Sequence, residues 1–173
     1  DAFINVVFPF LEKTGILWQT NRVKPVHEHF TGNLIRQKLI VAIDGIMDKS
    51  GNNAKSFVLF TPEDENYEIA LLFHNYLVKK NGHKTIYLGK EIKVNDLVEI
   101  SKIVNVDYFM SAFLFERSDS CEQMCFEKYF EAFETTPLIF SAVNYSQNSN
   151  LSRFTNLIKI KTLSEFSSFL KSI

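Results

Sequence analysis

From residue 57 to residue 173 the chain alternates short apolar runs with longer amphipathic stretches, and that rhythm limits the folds open to it. "SFVLFT" has the character of a buried strand. "PEDENYEIALLFHNYLVKKNG" follows with helical spacing, and Gly82 stands where a helix C-terminal cap belongs. The pair repeats as "KTIYLG" with "KVNDLVEISKIVN", and as "VDYFMSAFLF" with "SCEQMCFEKYFEAFETT". "PLIFSAV", "NLIKIKT" and a closing helix "LSEFSSFLKSI" complete the chain. Strands joined through helices of this length run parallel, so the sheet is covered on both faces. Five of them predict an α/β, flavodoxin-like (Rossmann-type) sheet of order 2-1-3-4-5 over residues 57–173.

Residues 1–48 lack this alternation and predict a partial helical bundle, with 49–56, polar and glycine-containing, as the linker. Pro25 suits the first turn of a helix running to about Asp48, in which Val26, Phe30, Leu34 and Val41 form an apolar stripe that needs a packing partner. The chain opens Asp-Ala inside an apolar helical pattern, which reads as part of a longer protein. Its 17 phenylalanines favour a bulky aromatic interior, and Phe126, Tyr129, Phe130 and Phe133 lie at helical spacing as core.

Composition and motifs exclude several classes. A net charge of −1 gives no electrostatic reason for this segment to bind nucleic acid or an anionic membrane. No apolar run approaches the roughly 20 residues of a membrane span, and no signal peptide is visible. Cys121 and Cys125 read as free thiols of a reducing cytosol, so a cytoplasmic location is expected. The loop "TPEDENYE" holds neither GxGxxG nor a Walker A pattern. Its Glu63, Asp64 and Glu65 would repel phosphate, and Thr61 is placed to cap the helix with Asp64. A receiver domain would carry Asp at the end of the third strand, where Ser111, Ala112 and Phe113 stand. No GxSxG elbow or Ser-His-Asp set is present, so hydrolytic chemistry is not expected. His27 and His29 diverge by about 200° on a helix and cannot grip one ion together. His74 and His83 read as helix-surface and turn residues.

Trp18, nine residues, then Glu28-His29, followed by a linker and a flavodoxin-like domain, resembles the cobalamin-binding C-terminal half of MerR-type transcriptional regulators, including light-responsive ones that use adenosylcobalamin. The resemblance covers nearly the whole chain. It implies that Trp18, Glu28 and His29 face the upper side of a corrin, while three sheet-domain motifs build the lower side. The first is Asp/Glu-x-His-x-x-Gly, whose imidazole ligates cobalt. Here "ENYEIA" keeps Glu65 but has Tyr67 for the histidine and Ala70 for the glycine. The second, a Ser-x-Leu type, is met by "SAF", Ser111 to Phe113; the third, Gly-Gly, reads Ser141-Ala142.

These departures have physical consequences. A phenol with an ordinary pKa of about 10 is a poor stand-in for a neutral imidazole as metal ligand. The Cβ atoms of Ala70, Ser141 and Ala142 intrude where glycine lets backbone approach a ligand. The expectation is therefore a sensory and oligomerisation domain with a degenerate lower-ligand motif and no histidine-ligated cofactor. Its candidate cavity is lined by Trp18, Glu28, His29, Tyr67, Ser111, Phe113, Ser141 and Ala142. Cobalamin held otherwise, base-on or by His29 from above, is the alternative, and a ligand-free dimerisation module is another. Expected partners are a second copy of the chain, an unidentified small effector, and DNA only through a separate N-terminal domain.

Overall fold

The structure is a computed structural model that describes residues 24–47, 51, 53–63, 65, 68–113, 119–142 and 154–173. The chain divides into two compact units, Asp1–Gly45 and Ile46–Ile173.

In the first unit the described element is helix α1, Pro25–Asp44. Proline at its start costs no helical hydrogen bond, and Gly45 ends it by donating its N–H to Val41 O at 3.0 Å. The helix is thus one turn shorter than expected. The expected stripe lies open in this chain: Phe30 is 72% and Val41 70% exposed, with Val26 and Leu34 exposed as well. The buried positions are Leu39 and Ile43, four apart and therefore on one side. Apolar residues run round more than one side of α1, so periodicity alone could not select the covered one.

The second unit contains a five-stranded parallel sheet of order β2-β1-β3-β4-β5, as the sequence predicts. The elements are β1 (Ser56–Pro62), α2 (Ile69–Lys80), β2 (Lys84–Ile92), α3 (Val94–Ile103), β3 (Tyr108–Phe113), α4 (Asp119–Ala132), β4 (Leu138–Ala142), β5 (Leu157–Ile160) and α5 (Leu163–Ser172). Local chemistry sets several ends. Asp96 Oδ2 accepts from Lys93 N at 3.2 Å at the start of α3, and Thr162 Oγ1 accepts from Glu165 N at 3.1 Å at the start of α5. Gly82, with φ +85°, follows α2 in the left-handed region that its missing Cβ allows.

Register places matched rows of side chains across the sheet. Val58, Phe109 and Leu138 form one row; Phe60, Ser111 and Phe140 form the next on the same side. With Leu97 of α3, Phe126 and Tyr129 of α4, and Phe133 just after α4, they make an aromatic core. Phe109 sits at its centre, 4.6 Å from Phe133 and 5.6 Å, edge-on, from Tyr129. Complete burial of one such ring contributes about 2 kcal/mol. The opposite parity (Phe57, Leu59, Met110 and Ile139) is equally buried, under α2 and α5, where the rings of His74 and Phe166 meet at 4.9 Å.

Both sheet-domain histidines correct the sequence reading, being 4% (His74) and 8% (His83) exposed. His83 is held because its ring meets three residues. Its Nε2 bonds Leu170 O at 2.9 Å, its Nδ1 accepts from Lys55 N at 3.3 Å, and its ring tilts on Phe57.

Candidate functional site

Open parallel sheets bind ligands beyond the carboxyl ends of their strands. At that edge β3 and β4 run side by side, pairing Ser111 with Phe140, Ala112 with Ser141 and Phe113 with Ala142. Four of the expected cavity residues, Ser111, Phe113, Ser141 and Ala142, thus lie on adjoining strand ends. Glu28 and His29 belong to α1, in the other unit, where His29 is exposed and its carbonyl accepts from Asn33 Nδ2 at 2.9 Å. Trp18 and Tyr67 lie outside the described residues.

Ser111 is 2% exposed, and its Oγ has no hydrogen-bond partner. It stands between Phe60 and Phe140 in its row, so nothing on the flanking strands can meet it there. An unmet buried hydroxyl costs about 1–3 kcal/mol.

The connection from β1 to α2 departs from expectation. Helix α2 begins at Ile69, after Glu68, and not soon after residue 62. Thr61 does not cap it. The Thr61 hydroxyl is fully buried, donates to Glu65 O at 2.8 Å and accepts from Glu91 N at 3.3 Å. At the other end of the connection, Glu68 Oε1 accepts from Tyr87 Oη at 2.9 Å. Glu65 itself is buried. Glu68, Tyr87 and Glu91 were not singled out by sequence, and Thr61 only as a helix cap. The one signal was Gly89, a glycine inside a strand run, which marks a bulge. β2 does break register against β1 between Leu59 and Phe60 and again between Phe60 and Pro62.

The imidazoles decide which cofactor chemistry this edge can support. The chain has four histidines, two of them in the sheet unit. His83 precedes β2 at the opposite, amino-terminal edge, with both ring nitrogens engaged. His74 lies in the middle of α2. Its Nδ1 bonds Ala70 O at 2.7 Å, which makes that nitrogen the donor, and its buried Nε2 has no partner. Burial pushes its pKa from 6.5 down to about 4, opposed in part by the Ala70 hydrogen bond, so the ring is neutral at physiological pH. Neither imidazole reaches the strand ends. The sheet unit therefore does not fit a corrinoid whose cobalt is ligated by a sheet-domain histidine. Among the described residues, no group of three or more His, Cys, Asp or Glu could hold a metal ion.

No protein-family model matches the chain, and no curated protein does. Solved structures do. The fold is that of cobalamin-binding α/β domains. The monomethylamine corrinoid protein of Methanosarcina barkeri superposes with a TM-score of 0.73 at 13% identity, over 93% of this chain and 77% of that one. A cobalamin-binding protein from Desulfitobacterium hafniense DCB-2 gives 0.52 at 14% identity, over 93% and 75%. The methanol:cobalamin methyltransferase complex MtaBC of Methanosarcina barkeri gives 0.58 at 10% identity, over 99% and 66%. Among the described residues, no helix is long and apolar enough to cross a membrane.

Proposed function

We propose that this chain is the effector half of a MerR-like cytoplasmic transcriptional regulator: a non-enzymatic sensing and self-association domain that keeps the cobalamin-type fold without histidine-ligated cobalamin. DNA is contacted by a separate domain of the intact protein. A small polar effector seats at the carboxyl ends of β3 and β4, where the Ser111 hydroxyl receives it, and its preference for one arrangement of the protein shifts assembly. The observation that carries this reading is the commitment of both sheet-domain imidazoles to the core, together with tyrosine at position 67.

The test is a visible absorption spectrum of the full chain after mixing with hydroxocobalamin or adenosylcobalamin and desalting. The expected result is no retained corrin band. A stoichiometric band overturns the reading and favours a second one, motivated by the likeness to corrinoid proteins, in which cobalamin is held base-on or from α1 through His29. Sensing is checked by size-exclusion of the intact regulator with and without candidate effectors. Unchanged assembly throughout favours a ligand-free dimerisation module.

A further inference from the structure

We propose that His83 is a proton-operated latch. Neutral, it ties the residue that leads into β1 to the last turn of α5; protonated, it releases that residue and keeps the helix. The ring is buried between two backbone groups from distant parts of the chain. Lys55 N donates to its Nδ1 at 3.3 Å, and its Nε2 stands 2.9 Å from Leu170 O. An acceptor at Nδ1 puts the proton of the neutral ring on Nε2, which therefore donates to Leu170. That carbonyl lies in the last turn of α5, one of the four that a helix leaves unmet at its end. One ring thus closes the end of α5 and the entrance of β1.

The neighbouring amide is held differently. Lys55 O accepts from Lys84 N at 2.8 Å, so the Lys55 backbone is engaged by His83 and Lys84 alone. Ser56 N instead donates to Asp107 Oδ2 at 2.8 Å, and Asp107 N returns to Ser56 O at 3.0 Å. Two successive amides therefore depend on two different side chains.

A second proton on the ring changes only one of these bonds. Imidazolium carries N–H on both nitrogens, so Nδ1 turns from acceptor to donor and confronts the Lys55 N–H. At Nε2 nothing is lost, and positive charge at the carboxyl end of a helix is favourable. The other charges on the segments that meet here are Lys79 of α2, Lys84 of β2, Lys171 of α5, Lys55 and Asp107. Asp107 is committed to Ser56 N and, at 3.9 Å, to Lys55 Nζ. The Tyr108 phenol, held above its ordinary range by burial and by Asp107, stays neutral. Mild acid thus frees the chain just ahead of β1 from α5 and leaves β1 in the sheet. The latch needs neither effector nor cofactor, so it stands apart from the proposed function.

The test is NMR on the full chain between pH 7.5 and pH 5, following the ring nitrogens of His83 and the exchange of the Lys55 and Ser56 amides. At pH 7.5 the ring is expected to carry its proton on Nε2. As the ring signals report protonation, Lys55 exchange, corrected for its intrinsic pH dependence, is expected to rise by about fivefold or more, the equivalent of one hydrogen bond. Ser56 exchange is expected to hold. His83→Asn offers an amide oxygen near the Nδ1 position and has no proton to gain, so it is expected to remove the pH dependence. A neutral ring protonated on Nδ1, unchanged Lys55 exchange across the ring's titration, or equal acceleration of Lys55 and Ser56 overturns the latch. If His83→Asn fails to fold, the wild-type titration decides.

Discussion

Replacing His74 by leucine tests the buried imidazole, and its sign depends on pH. The folded-state pKa is lowered from 6.5 to about 4 by burial. Above pH 6.5 the ring is neutral in both folded and unfolded chains, and protonation contributes nothing. As the pH falls below 6.5 the unfolded chain takes up a proton that the folded chain refuses, and stability drains away until the folded ring protonates near pH 4. Each pH unit in that window costs about 1.4 kcal/mol, about 3 kcal/mol across it. Leucine removes that loss. At pH 7.5 it also removes an Nε2 atom buried without a partner, and it orphans nothing, because the Ala70 carbonyl already accepts the helical N–H of residue 74. His74→Leu is therefore expected to match the wild type at pH 7.5 to within about 1 kcal/mol. At pH 4 it should exceed the wild type by about a further 3 kcal/mol. The assay is urea unfolding of both proteins at pH 7.5, 6, 5 and 4. Carboxylates common to both cancel in the difference. A difference that stays constant from pH 7.5 to pH 4 refutes the argument, as does a variant that is more acid-sensitive than the wild type.

Two other substitutions test local claims. Asn156 Nδ2 is shared among the carbonyls of Phe133 at 3.1 Å, Thr136 at 3.2 Å and Glu134 at 3.3 Å. Asn156→Ala is expected to cost about 1–3 kcal/mol in urea unfolding and Asn156→Asp more, since a carboxylate would face three acceptors. Gly89 has φ +88°, and Gly89→Ala meets no atom closer than 3.7 Å, so its expected cost of about 1–2 kcal/mol is backbone strain alone; a cost near zero would contradict the left-handed geometry.

The order and type of the sheet-domain elements could be read from the chain because each is written locally, in a run of residues with its own period and its own breaks. Phe126, Tyr129, Phe130 and Phe133 needed only helical spacing to be placed on the core side, where the structure has them buried or half-buried. Contacts that depend on register were not legible. Thr61 and Glu91 are 30 residues apart, and their meeting follows from two breaks in β1–β2 pairing that no local pattern encodes. Histidine was misread for a related reason. A ring nitrogen satisfied by a carbonyl one turn back, as in His74, makes a polar residue compatible with a core that its letter alone argues against. In α1 the apolar residues were visible, but a helix with two apolar sides does not say which one is covered.

The bent end of β2 bears on solubility. An outermost strand offers its free backbone groups to any extended segment that drifts alongside, and straight, regular ones invite stacking into aggregates. Here two left-handed residues (Gly89 and Glu91), two slips of pairing and the exposed Lys84 and Lys90 interrupt the row that an intruder would have to match. On the far side β5 spans only four residues, Leu157–Ile160. Both flanks of this phenylalanine-rich sheet are thereby poor templates for sheet growth.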